Sequence, residues 1–141
     1  MHATLLLEEG RTDEASALID EVAGLRFSDY YHVLDFGMTL AALGRGEELT
    51  ASLDNEDIGE GWRAAGGALA MGDFGAAAAA YAELGLRPYE ARARLHAAAR
   101  LVGEGRRREA DEHLGGALAF YRTVGATRYI REGEGLLAAS A

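Results

Sequence analysis

Four histidines, His2, His32, His96 and His113, are the first residues that could hold a metal or move a proton. No two stand four apart, the spacing that would bring both imidazoles to one helical face as a zinc pair. A ligand set would have to be assembled from separate helices, so they read as partly exposed helix histidines. The acidic pairs Glu8-Glu9, Asp20-Glu21, Glu47-Glu48 and Glu56-Asp57 offer carboxylates in twos. Neighbours on a helix point about 100° apart, however, and nothing nearby marks one member as a buried acid. They fit solvated faces and first-turn charges set against helix dipoles. The glycine clusters Gly59-Glu60-Gly61 and Gly103-Glu104-Gly105-Arg106-Arg107-Arg108 lack the strand before and the Lys-Ser/Thr after that a phosphate loop needs. With no lysine anywhere in the chain, a Walker-type site is excluded. The arginine triplet falls at a turn, where its charge is readily hydrated. Ser16, Ser28 and Ser52 read as helix-surface and capping residues, Ser140 as part of a fraying tail, and none has a histidine beside it as a base. No catalytic residue, metal or cofactor is expected.

The chain has 141 residues, 14 basic and 23 acidic, for a net charge of −9. That is the length of one domain or one repeat array. Cysteine is absent, which removes disulfides and thiolate chemistry together. Residues 1–87 carry 16 acids and 5 arginines, whereas residues 88–141 carry 7 acids and 9 arginines. An acidic chain repels phosphate backbones, so nucleic acid is not an expected partner. The first ten residues lack Arg, and no uncharged stretch approaches the ~20 residues of a membrane span. The expected location is the cytoplasm. The wealth of Ala, Gly and Arg looks like the coding bias of a GC-rich bacterial genome.

The elements that must position any site are helices. Nineteen glycines face a single proline, so glycine does most of the punctuation. Gly10, Gly44, Gly72 and Gly105 each end one apolar segment and precede another, at intervals of 34, 28 and 33 residues. Five residues beyond them stand Ala15, Leu49, Ala77 and Ala110, small in three cases. The first and last copies share Leu6/Leu101, Glu9/Glu104, Gly10/Gly105, Arg11/Arg106, Glu14/Glu109 and Ala15/Ala110. Helical periodicity predicts helices near 2–9, 12–24, 28–43, 46–54, 58–71, 73–84, 88–103, 106–123 and 127–139. Ser28 is placed as an N-cap, Pro88 in a first turn, Glu90 and Arg94 as a supporting pair, and Gly85 and Gly125 as C-caps. No sustained alternation marks a strand.

With copies reading Val33, Phe36-Gly37, Leu40, Gly44, Leu49, Leu53, then Ala64-Ala65, Ala68, Gly72, Phe74, Ala77, Tyr81, then Ala97-Ala98, Leu101, Gly105, Ala110, Leu114, Ala117, the chain resembles the tetratricopeptide repeat family. The resemblance implies an all-α fold, a right-handed superhelical stack of antiparallel helix pairs. About four pairs are expected, at 1–24, 28–54, 58–84 and 88–123, with 127–139 as a cap, all in one domain. Leu49 departs from the pattern, and the interval after Gly44 is short. Such arrays bind peptides or partner domains in a groove lined by the first helix of each pair. Carried over by position, that groove would hold Tyr31, Leu34 and Met38, then Trp62, Gly66 and Leu69, then Arg92, Leu95 and Ala99. Trp62 beside Arg63 would be an energetic centre if exposed. The competing reading packs Trp62, Tyr30 and Tyr31 between repeats, against many alanines.

Segments 70–76 (Ala-Met-Gly-Asp-Phe-Gly-Ala), 81–85, 88–91 and 119–126 are similar to the helical tract of LuxR-type regulators and adenylate cyclase-like ATPases. That similarity implies a regulatory or sensor segment of a larger transcriptional regulator or signalling enzyme. The two functional expectations are therefore a protein-interaction scaffold and such a regulatory segment. The partner would be a protein or peptide, a neighbouring domain, or a second copy of the chain.

Overall fold

The computed structural model describes residues 2–23, 30–54 and 58–139, and every regular element among them is helical. In chain order these are α1 (His2–Glu8), α2 (Thr12–Ala23), α3 (Tyr30–Ala42), a 3-10 turn (Gly46–Leu49) running into α4 (Thr50–Leu53), and α5 (Glu60–Ala70). Then follow α6 (Phe74–Glu83), α7 (Arg87–Gly103), α8 (Arg107–Val124) and α9 (Thr127–Ala139). The expected helices are present with small shifts at their ends. The expected cap Ser28 lies outside the described residues.

The helices stop where glycine lets them. Gly10, Gly44, Gly72, Gly85, Gly105 and Gly125 all have φ between 68° and 76°, the left-handed region that a side chain resists. Five of these ends close in the same way. Gly10 N–H donates to Leu7 and Arg11 N–H to Leu6; Gly105 donates to Val102 and Arg106 to Leu101. The ends at Gly44, Gly85 and Gly125 repeat the pattern, which satisfies carbonyls a helix C-terminus otherwise orphans.

The chain divides into two compact units, Met1–Gly72 and Asp73–Ala141. The division falls at the turn between α5 and α6, inside the expected third pair. In the first unit α1 packs on α2 and α3, and α3 packs on α5 and the 3-10 turn. Ala3, Leu6, Ala15, Ile19, Met38, Leu49 and Leu69 are buried there. Thr4 and Thr39 hydroxyls pair at 3.0 Å, satisfying polar groups where α1 meets α3.

Leu49, the departure from the small-residue pattern, is 3% exposed and has a structural answer in α3. A Cβ at Gly37 would stand 3.2 Å from Cδ1 of both Leu49 and Leu69. The larger residue on one side is matched by the missing side chain on the other. The predicted helix 46–54 also begins as a 3-10 turn. Gly46 packs so closely on α5 that a Cβ there would collide with the Leu69 carbonyl oxygen.

In the second unit α7 packs on α6, α8 and α9. Ala91, Leu95, Ala98, Leu114, Ala117 and Tyr121 form one buried cluster, which Tyr129, Ile130 and Leu136 of α9 cover. Alanines let α7 and α8 approach, and tyrosines fill what the alanines leave; Tyr121 and Tyr129 stack at 4.8 Å. Gly133 of α9 faces Leu118, which would lie 2.7 Å from an added Cβ.

Candidate functional site

The turn residues make a recurring device. After Gly10, Arg11 grips Glu14 with two parallel bonds, Nε to Oε1 at 2.8 Å and Nη2 to Oε2 at 2.6 Å, and reaches back to Glu9 at 3.3 Å. After Gly105, Arg106 grips Glu109 at 2.9 and 2.6 Å and reaches back to Glu104 at 3.2 Å. After Gly44, Arg45 grips Glu48 and turns its remaining donors to α2, meeting Ser16 Oγ at 2.7 Å and Asp20 at 2.6 Å. Two-pronged guanidinium–carboxylate pairing is the strongest geometry open to these side chains. It holds Glu14, Glu48 and Glu109 below the ordinary carboxylate range, and Arg11, Arg45 and Arg106 above the ordinary guanidinium range. After Gly72 the solution differs: the Asp73 carboxylate accepts from Ala76 N–H at 2.9 Å and caps α6 directly.

The clamps account for residues that looked chemically suggestive. Glu9, Asp20 and Glu48 of the acidic pairs each hold an arginine, and the pair Glu56-Asp57 lies outside the described residues. In the arginine triplet, Arg106 is the clamp, whereas Arg107 and Arg108 are exposed at the start of α8. Ser16 is an acceptor for Arg45.

The expected groove residues are placed unevenly. Met38 and Leu95 are 1% and 4% exposed, so both are core side chains with almost no surface to offer a partner. Leu69 and Gly66 are buried as well. They face inward because α3, α5 and α7 turn these positions onto neighbouring helices, where apolar burial outweighs exposure. Trp62 is half-buried near the start of α5, Arg63 beside it is exposed, and Arg92 is half-buried on α7. The side chains of Tyr31 and Leu34, and of Tyr30, lie outside those described. Gly116 of α8 makes room for Arg94, whose Cδ and Nη1 would stand 3.1 Å from an added Cβ.

His96 acquires a role that spacing alone did not reveal. His96 stacks on Phe74 at 4.9 Å, and Arg100, one turn further along α7, lies 4.9 Å from the same ring. This grip fastens the first residue of α6 to α7. Burial pushes the His96 imidazole down to about 4, with Arg92 and Arg100 adding repulsion. Burial also lowers His113, with Arg94 contributing. The i, i+4 spacing of His96 and Arg100 was visible; the aromatic partner was not, because it comes from another helix. The side chains of His2 and His32 lie outside those described, and among the described residues no three His, Asp or Glu side chains converge as a metal site.

Comparison with protein-family models, with curated proteins and with solved structures gives no significant match. Among the described residues no helix is long and apolar enough to cross a membrane.

Proposed function

We propose that this chain is a non-catalytic protein–protein interaction module of tetratricopeptide type, a right-handed superhelical stack of about four helix pairs with α9 as its cap. The observation that carries the reading is recurrence. Gly10, Gly44 and Gly105 have the same left-handed backbone and the same helix-end bonding. Each is followed by the same Arg-to-Glu clamp and by a buried apolar residue five positions on, Ala15, Leu49 or Ala110. Such a device, recurring 34 residues apart after Gly10 and Gly44 and again after Gly105, supports a stack of equivalent pairs. Helices also touch the next but one within each unit, α1 with α3, α3 with α5 and α7 with α9.

The partner is a protein or peptide, and the candidate contact is the start of α5, where Trp62 and Arg63 stand. Cross-linking mass spectrometry in the native host tests this. A partner cross-linked to α5 should be lost with Arg63→Glu in a variant that circular dichroism shows to be still folded. Equal cross-linking by that variant would reject the contact, and melting caused by Trp62→Ala would make Trp62 a core residue. The similarity of segments 70–76 and 119–126 to regulator tracts supports a second reading, a regulatory or sensor segment. A native polypeptide that carries a nucleotide-binding module favours this second reading.

A further inference from the structure

We propose that the cleft between α7 and α8 binds a free α-amino acid with an apolar side chain, taking its ammonium on Glu90 and its carboxylate on Arg87 and Arg94. The inference stands on the second unit alone and does not depend on the repeat reading. The cleft has a volume of about 240 Å³ and is walled by Phe120, Ala91 and Ala119. That is space for roughly eight waters, and it lies below the ~300–1,000 Å³ of pockets that take larger ligands.

Glu90 is the unusual residue in it. It sits in the first turn of α7 and is 8% exposed, a buried carboxylate among alanines. Its Oε1 accepts from Arg94 Nε at 2.9 Å and lies 2.8 Å from Nη2. Its Oε2 is buried and accepts no hydrogen bond among the described residues; Arg87 Nη1, 3.7 Å away, forms an ion pair with it but lies too far to donate one. A buried carboxylate oxygen without a donor is costly, so the site is incomplete as it stands. The missing group is a donor. Arg87 is exposed over most of its side chain and can rotate aside to admit one.

The charges decide the class of ligand. Glu90 is matched by Arg94, and Arg87 adds one further positive charge at the rim. A simple anion would satisfy the arginines and leave Oε2 without a hydrogen bond. A simple cation would satisfy Oε2 and be repelled by two guanidiniums. A zwitterion answers both, and Phe120 with the alanines favours an apolar side chain over a polar one. Gly116 leaves room for the Arg94 guanidinium, whose Nη1 would lie 3.1 Å from a Cβ at 116.

Titration calorimetry on the full chain tests the site with L-leucine and L-phenylalanine at millimolar concentration. Saturable binding is expected. N-acetyl-L-phenylalanine lacks the ammonium and L-phenylalaninamide lacks the carboxylate, and each should bind about tenfold more weakly or worse. Arg87→Ala, at an exposed position, should weaken binding about tenfold without altering the melting temperature. Glu90→Gln should weaken it too; should that variant fail to fold, Arg87→Ala and the blocked ligands still decide. No saturable heat, equal affinity for the blocked derivatives, or full binding by Arg87→Ala would each overturn the proposal. Equal binding of an acetylated peptide ending in leucine would assign the cleft to peptide C-termini and overturn it as well.

Discussion

At the scale of single residues, glycine acts in two distinct ways, and substitution separates them. Gly46 cannot accept a side chain because a Cβ would meet the Leu69 carbonyl, which is backbone and cannot rotate away. Gly46→Ala should therefore destabilise by about 1–3 kcal/mol in urea denaturation. Gly67 in α5 and Gly115 in α8 have nothing within 4 Å of an added Cβ. Gly67→Ala and Gly115→Ala should each stabilise by about 0.5–1 kcal/mol, since alanine loses less backbone entropy in a helix. Equal effects at 46 and 115 would refute the packing account. His96 offers a titration at the same scale. Its folded value near 4 lies below the ordinary 6.5, so between those limits the unfolded chain takes up a proton that the folded chain refuses. Stability should be full above pH 6.5 and fall as pH drops toward 4, by up to about 3 kcal/mol from this residue. His113, lowered in the same direction, adds to the slope. His96→Phe keeps an aromatic ring for Phe74 and should flatten the pH dependence of the melting temperature; an unchanged slope would show that other groups carry it.

At the scale of elements, compensation between helices explains why Leu49 stands where the other turns are followed by alanine. Leu49 on the 3-10 turn occupies space that Gly37 of α3 leaves open. Leu49→Ala should cost about 2–5 kcal/mol by emptying that space. Gly37→Ala alone should also destabilise, because its methyl would crowd Leu49 and Leu69. In the Leu49→Ala background the same methyl enters a cavity, so Gly37→Ala should cost less or restore stability. A double-mutant cycle by urea denaturation measures this, and strict additivity would contradict the pairing. The helices themselves were readable because glycine positions and apolar spacing are local signals. The six left-handed glycines fall where turns were expected. Arg11, Glu14, Arg106 and Glu109 were visible as matched letters in two copies, but their clamp geometry needed the fold. Arg45 shows the limit: its bonds to Ser16 and Asp20 span 29 and 25 residues, and no spacing rule anticipates them.

At the scale of the whole molecule, the chain reads as one array in sequence and divides into two compact units in structure. The second unit holds its own core cluster, drawn entirely from α7 and α8 and covered by α9. Residues 73–141 alone should therefore be helical and melt cooperatively by circular dichroism; a non-cooperative melt would show that its core is not self-sufficient. The sequence by itself determined the helical class, the turns and the absence of a phosphate loop, because backbone preference, periodicity and residue inventory act locally. Which faces are buried was decided only by tertiary structure. Met38 and Leu95 stand at expected groove positions yet are core, because an apolar side chain follows whatever surface lies opposite it. The cleft at Glu90 follows the same logic: α7 supplies the charges, α8 supplies Gly116 and Phe120, and only their packing makes a site.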